Sequence, residues 1–216
     1  MASPGELVRC VAGVLGVPEA TVIQHDRNLL LAGKRSKGGR GTSAAKVTVS
    51  DAVNLLIPVV AGSLIKDTVA TWSEYVSLPV DTLEQPQQWQ FDIPPLQALP
   101  ENHTLGEALV ALVEAAKDGS LQAFRDHRRQ RKTGSGRTVN VFWIRVTFMG
   151  RFPQTRITIT AGRETELKFY SHPVVTDENG QIRPVEVPEK YKGGDLQWFR
   201  EFTDTTVFTI GSLLKT

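Results

Sequence analysis

The stretch from Val8 to Gly41 constrains this chain most, because it reads as two short helices joined by a tight turn and followed by a glycine-rich cationic loop. Ser3-Pro4-Gly5-Glu6 announces the first helix. Ser3 stands at the N-cap, Pro4 at the first helical position, and Glu6 three residues after the cap, where its carboxylate returns a bond to the capping backbone. Gly16 ends that helix at a position where a positive φ costs least. Pro18 is then the expected first residue of a second helix running to about Asn28. Small Ala12 sits where the two helices would cross, and Val11, Leu15, Val17 and Val22 supply the apolar interior.

Lys34-Arg35-Ser36-Lys37-Gly38-Gly39-Arg40-Gly41 places four cations among three glycines, and no acidic residue occurs between Asp26 and Asp51. Gly38-Gly39 suits the tip of a hairpin, with Lys46-Val47-Thr48-Val49 as its returning strand. Ser50-Asp51 would then cap a further helix through Ala52, Val53, Leu55, Leu56 and Ile57. Helix, turn, helix, basic hairpin, helix resembles the winged helix-turn-helix and MerR-like DNA-binding superfamily over roughly the first third of the chain. More narrowly, Gly39-Arg40-Gly41 leading into Asp51-Ala52-Val53-Asn54-Leu55-Leu56-Ile57 is similar to regulators encoded by prophages and gene-transfer elements of proteobacteria.

The resemblance implies that the second helix enters the major groove of double-stranded DNA while the loop lies along the backbone. On the helix, Pro18, Glu19, Ala20, Thr21, Gln24 and Arg27 are the expected DNA-facing residues. Gln suits adenine, Arg suits guanine, and Ala or Thr can meet a thymine methyl. Lys34, Arg35, Lys37, Gly38, Gly39 and Arg40 form the expected wing, with contacts mainly to phosphate.

The remaining sequence predicts an α+β chain of two small units: a DNA-binding unit over 1–78, a linker over 79–103, and a dimerisation or effector unit over 104–216. The linker is marked by Pro79, Pro86, Pro94, Pro95 and Pro100 within a Gln-rich text. Its Trp89, Phe91, Ile93 and Leu96 predict a strap docked on a neighbouring surface. Thr104 caps a helix carrying Leu105, Leu109, Leu112 and Val113 at helical spacing. Asp118-Gly119-Ser120 interrupts it, and a shorter helix from Leu121 ends in the basic run Arg125 to Lys132. Gly134-Ser135-Gly136 reads as a hinge. From Val139 to Met149 the period changes to two with apolar residues on both faces, the mark of a central strand. Thr155 to Thr160 completes a hairpin, and Leu167 to Tyr170 adds a third strand. The aromatic load of this strand pair suits either core or a contact between two copies. The apolar tail from Trp198 to Leu214 is docked, as strand or as helix.

Net charge is +2, but it is segregated: 1–75 carries +2, 76–118 carries −6, 119–168 carries +8 and 169–216 carries −2. Two basic zones flank an acidic one, so a polyanion can be gripped at two places. The longest apolar stretch, Ala52 to Ile65, contains Asn54, Pro58, Gly62 and Ser63 and falls short of the ~18 residues of a membrane span. It reads as a buried, kinked helix, and no membrane partner is expected. The single Cys10 and a start lacking the regions of a signal peptide predict a reducing, bacterial cytoplasm, with the protein on the nucleoid.

Catalytic chemistry is not predicted. His25, His103, His127 and His172 lie far apart with no partner at metal-ligand spacing, and His172 is the lone candidate base. The glycines of the loop lack the Lys-Ser/Thr of a phosphate-binding P-loop. Asp177-Glu178 and Glu164/Glu166 read as solvated acids. No cofactor, metal or enzyme activity is expected. The function read from the sequence is a dimeric, sequence-specific transcriptional regulator of phage or mobile-element type, with a possible contact to the transcription machinery. Two other classes stay open: an oligomeric structural or packaging accessory protein that binds DNA, and a protein-only adaptor.

Overall fold

The computed structural model describes residues 2–37, 46–81, 88–130, 141–150, 152–171, 174–176, 182–184 and 198–215. The loop residues Gly38, Gly39, Arg40 and Gly41, the Gly134-Ser135-Gly136 hinge, Arg131 and Lys132, Val139 and Asn140, His172, and the Asp177-Glu178 pair lie outside these. The fold is mixed α+β; among the described residues it has eight α-helices and a four-stranded antiparallel sheet.

Helix α1 (Pro4–Leu15) forms as its cap dictates: Glu6 donates its backbone N–H to Ser3 Oγ at 3.3 Å, and the Glu6 carboxylate accepts the Ser3 N–H at 2.7 Å. Gly16 closes it at φ 65°. Helix α2 (Glu19–Leu31) runs three residues beyond the expected end at Asn28. Pro18 is its N-cap residue, with ψ 130°, and not its first helical one.

The third helix corrects the sequence reading more strongly. Helix α3 (Val49–Ala61) is capped by Thr48 rather than Ser50, and Val49 is already helical. The reason lies three residues on. Thr48 finds Asp51 there, which returns a bond to the Thr48 N–H at 2.8 Å, whereas Ser50 would find apolar Val53. The expected strand over Lys46–Val49 is therefore absent, and Val47 instead donates its N–H to the Ala2 carbonyl at 3.0 Å. A 3-10 turn (Ile65–Asp67) and helix α4 (Thr68–Val76) follow, then the short α5 (Pro94–Gln97). Helix α6 (Leu105–Asp118), capped by Thr104 and Glu107, ends at Gly119 and passes directly into α7 (Ser120–Gln130).

Strands β1 (Phe142–Gly150), β2 (Gln154–Ala161) and β3 (Glu164–Ser171) form a meander. A small pair, β4 (Val174–Thr176) and β5 (Ile182–Pro184), stands apart from it. The tail is both of the open alternatives: strand β6 (Trp198–Thr203) and then helix α8 (Asp204–Lys215). The sheet order is β3-β2-β1-β6, so β1 is central as expected. Ile144, Val146, Phe148, Ile157, Ile159, Tyr170 and Phe202 are buried on its inner face. Helix α8 packs on α6 and on α1. A Cβ at Gly211 would come within 2.6 Å of Ala116 Cβ, so the absence of a side chain sets how closely α8 approaches α6. The buried apolar residues make one cluster from Ala2 to Leu214, with α1, α3, α6, α8 and the sheet all contributing. No described helix is long and apolar enough to cross a membrane.

The strap is docked as expected, with Trp89, Phe91, Ile93 and Leu96 buried. What holds it was misread. Glu166 is buried, not solvated: its two oxygens accept the backbone N–H groups of Gln90 and Phe91 at 2.7 and 2.9 Å. Buried Lys168, two residues along the same face of β3, pairs with Glu166 at 3.3 Å and donates to the Gln88 carbonyl at 3.0 Å. Backbone donors from the strap make this acidic position tolerable in a buried site.

Candidate nucleic-acid interface

Helix α2 buries one face and presents the other. Val22, His25, Asp26 and Leu29 point inward. His25 Nδ1 lies 2.8 Å from Thr68 Oγ1, and Asn28 Nδ2 donates to the Ile65 carbonyl at 2.6 Å, fastening α2 to α4 and the turn before it. Burial lowers the His25 pKa, which favours a neutral ring. Of the expected DNA-facing residues, Pro18, Glu19, Ala20, Gln24 and Arg27 are exposed and Thr21 is half-buried. Ile23 and Leu31 are exposed on the same helix, Leu31 to 74%.

The helix runs into the stem of the cationic loop, where a polar network that the sequence reading missed holds both ends. Asp51 is buried and is its centre. One oxygen accepts the Ser36 N–H at 2.7 Å, and the other accepts the Thr48 N–H and hydroxyl at 2.8 and 2.9 Å. A single carboxylate therefore ties the residue entering the loop to the residue leaving it. Asn54, one turn further along α3, donates to the Lys34 carbonyl at 2.7 Å and accepts from Trp72 Nε1 at 2.8 Å. Lys34 Nζ lies over that Trp72 ring, 4.6 Å from its centroid.

Arg35 is turned inward. Its Nε lies 2.8 Å from Asp26 Oδ1 with both side chains largely buried, and the N–H is off line for a hydrogen bond, so the contact is coulombic. Burial raises the Asp26 pKa, with Arg35 opposing the shift and Asp51 adding to it. The two acids that bound the acid-free stretch thus both fold back onto its stem. Of the expected wing cations, Lys34 and Arg35 are half-buried and contact Trp72 and Asp26, while Lys37 is exposed, as is Lys46 beyond the loop. Thr48-x-x-Asp51 was a legible capping pattern; nothing in the sequence signalled that the second oxygen would reach Ser36.

The second basic zone is arranged differently. Arg125 stacks on Phe208 at 4.5 Å, and Arg128 pairs with Glu164 at 2.7 Å while lying over Phe91 and Phe124. Beside Arg128 is a groove of about 560 Å³ lined by Asp92, Pro94, Ser120, Phe124 and His127. Ser120 and His127 are two turns apart on α7, a rise of about 10 Å, so they do not form a nucleophile and base pair. Among the described residues no cluster of His, Cys, Asp and Glu is arranged to hold a metal. Comparison of the chain with protein families, with curated proteins and with solved structures gives no match.

Proposed function

We propose that this protein binds double-stranded DNA sequence-specifically and acts as a transcriptional regulator of phage or mobile-element type. In this reading α2 lies in the major groove, and Lys37, Arg40 and Lys46 meet phosphate. The observation that supports it is the continuity between an outward row of exposed side chains on α2, Gln24 and Arg27 among them, and a cationic loop whose two ends are fixed by one buried carboxylate, Asp51. A clamped stem limits the entropy lost when the loop settles on a backbone. Two copies would read two half-sites, and residues 104–216 would supply the dimer contact and any contact with the transcription machinery.

The test is selection from a random duplex pool, followed by affinity measurements against salt. A recovered motif and a steep salt dependence are expected, with Gln24→Ala or Arg27→Ala weakening the preferred site by ~1–3 kcal/mol while sparing random DNA. Binding without a motif supports the packaging reading. One observation favours a protein contact instead: Ile23 and Leu31 place exposed apolar side chains on the same helix. Absence of DNA binding at low salt would overturn the DNA reading in favour of that one.

A further inference from the structure

Helices α3, α4 and α6, with Pro95 of α5 and Leu99 beyond it, line a groove of about 500 Å³, and none of its lining residues belongs to α2 or to the cationic loop. We propose that this groove binds a small apolar molecule carrying an ammonium group, and that its occupancy reaches the stem of the cationic loop through Asn54. The site goes beyond the DNA reading and does not depend on it.

The groove follows from how α6 meets its neighbours. Its floor is Val53 of α3 and Ala111 of α6, both buried, and its walls are the half-buried Val76, Leu99 and Val110. Gly106 lets α4 close on α6. A Cβ there would stand 2.5 Å from Val76 Cγ2 and 2.9 Å from the Val76 carbonyl oxygen, so this approach needs a residue without a side chain. An apolar cleft of this volume is the size that takes a small organic ligand.

Charge selects the class of ligand. Glu107 and Glu114 line the groove two turns apart on α6, a rise of about 10 Å, and no Lys or Arg is among the lining residues. Residues 76–118, which supply most of the lining, carry −6. Glu107 accepts the Thr104 N–H and hydroxyl at 2.7 and 3.0 Å. Glu114 pairs with Lys117 at 3.2 Å in a half-exposed contact within α6. A pair of that kind is weak, so a ligand cation can compete with Lys117, whereas an anion would meet two carboxylates. The groove beside Arg128, by contrast, mixes Asp92 with His127 and Arg128 and favours neither sign.

Asn54 also lines the groove, and its side chain is the one that donates to the Lys34 carbonyl and accepts from Trp72 Nε1, at 2.7 and 2.8 Å. A ligand that touches Asn54 therefore touches the hydrogen bonds that hold the stem.

The probe is octylamine, cationic at neutral pH, with octanol and octanoate as its neutral and anionic counterparts. Chemical-shift titration of the full chain without DNA is expected to give a dissociation constant of about a millimolar for the amine, weaker binding for the alcohol and the weakest for the acid. Val110→Trp fills the groove and should abolish binding of amine and alcohol alike. Glu107→Gln with Glu114→Gln should weaken the amine about five- to tenfold and leave the alcohol unchanged. Gln keeps the capping box, so this pair tests the site even if Val110→Trp does not fold. The indole N–H resonance of Trp72, identified by its loss in Trp72→Phe, should shift on adding octylamine. No amine binding at millimolar concentration, equal affinity for the three probes, a preference for octanoate, or amine binding that survives Val110→Trp overturns the proposal. An indole signal that stays in place overturns the link through Asn54. A parent chain that self-associates and is made monomeric by Val110→Trp has a second copy in the groove, which overturns the proposal as well. None of these readouts involves DNA, so their failure is distinct from failure of the selection experiment.

Discussion

The two basic zones of this chain carry similar residues and use them in opposite ways. In the first, glycines surround the cations, and the stem takes Lys34 and Arg35 while Lys37 and Lys46 are left exposed. In the second, aromatic rings surround them. Arg125 covers Phe208, Arg128 covers Phe91 and Phe124, and Lys168 is sealed under the strap. Three of the eleven cations over residues 119–168 are thus engaged within the fold. The difference teaches that neighbouring side chains, more than charge count, decide whether a cation is a ligand or a staple.

The hardest way to break the comparison is at Lys168. Its ammonium is buried against Glu166 and the Gln88 carbonyl, so Lys168→Ala leaves a buried carboxylate without its counter-charge. Such a loss costs about 3–5 kcal/mol. Urea unfolding is expected to show a drop of that size. A change below about 1 kcal/mol would mean that this cation is not a staple, and that the second zone resembles the first.

Glu166 and Lys168 also show where sequence reading stops. Their alternation in β3 and the strap's Trp89 and Phe91 were each visible, and docking of the strap followed from its apolar content. That the acid at 166 would be buried was not visible, because its partners are backbone groups more than seventy residues away. The helices were legible for the opposite reason: Ser3 with Glu6 and Thr104 with Glu107 are caps closed within three residues. Thr48 with Asp51 is the same device, overlooked only because Ser50 stood beside it. On the candidate interface, Gln24 and Arg27 are exposed on α2, and so are Ile23 and Leu31, which their apolar side chains did not announce. The inward turn of Arg35 needed the third dimension, since its partner Asp26 lies nine residues back, within α2.

A second break point is acid. Among the described residues two histidines are buried, His25 against Thr68 and His103 against Tyr170. Burial lowers both pKa values from the ordinary value of 6.5. Above 6.5 both rings are neutral folded or unfolded, and stability is unaffected by their titration. As pH falls below 6.5 the unfolded chain takes up protons that the folded one refuses, so stability is lost down through the folded pKa values. The slope approaches about 1.4 kcal/mol per pH unit for each ring. His103→Gln should remove the part belonging to the strap and leave the part belonging to α2. An unaltered acid profile in that variant would place the proton uptake elsewhere.

The smallest effect on stability is expected where the two zones are set side by side. Lys37→Ala with Arg40→Ala removes cations that the DNA reading assigns to phosphate. Arg125→Ala with Arg128→Ala removes cations that lie on rings. Each neutralised phosphate contributes a slope of about −0.9 in the logarithm of affinity against the logarithm of salt. The loop pair should therefore flatten the slope by up to about two units, and the exposed Lys37 should shift stability by less than about 0.5 kcal/mol. The helix pair should do the reverse. Losing three ring contacts and the bridge to Glu164 costs about 1–2 kcal/mol together, and the salt slope stays where it was. If the slope moves with Arg125 and Arg128 and not with Lys37 and Arg40, DNA lies along α7 rather than α2. The exposed Ile23 and Leu31 would then mark α2 as a protein contact.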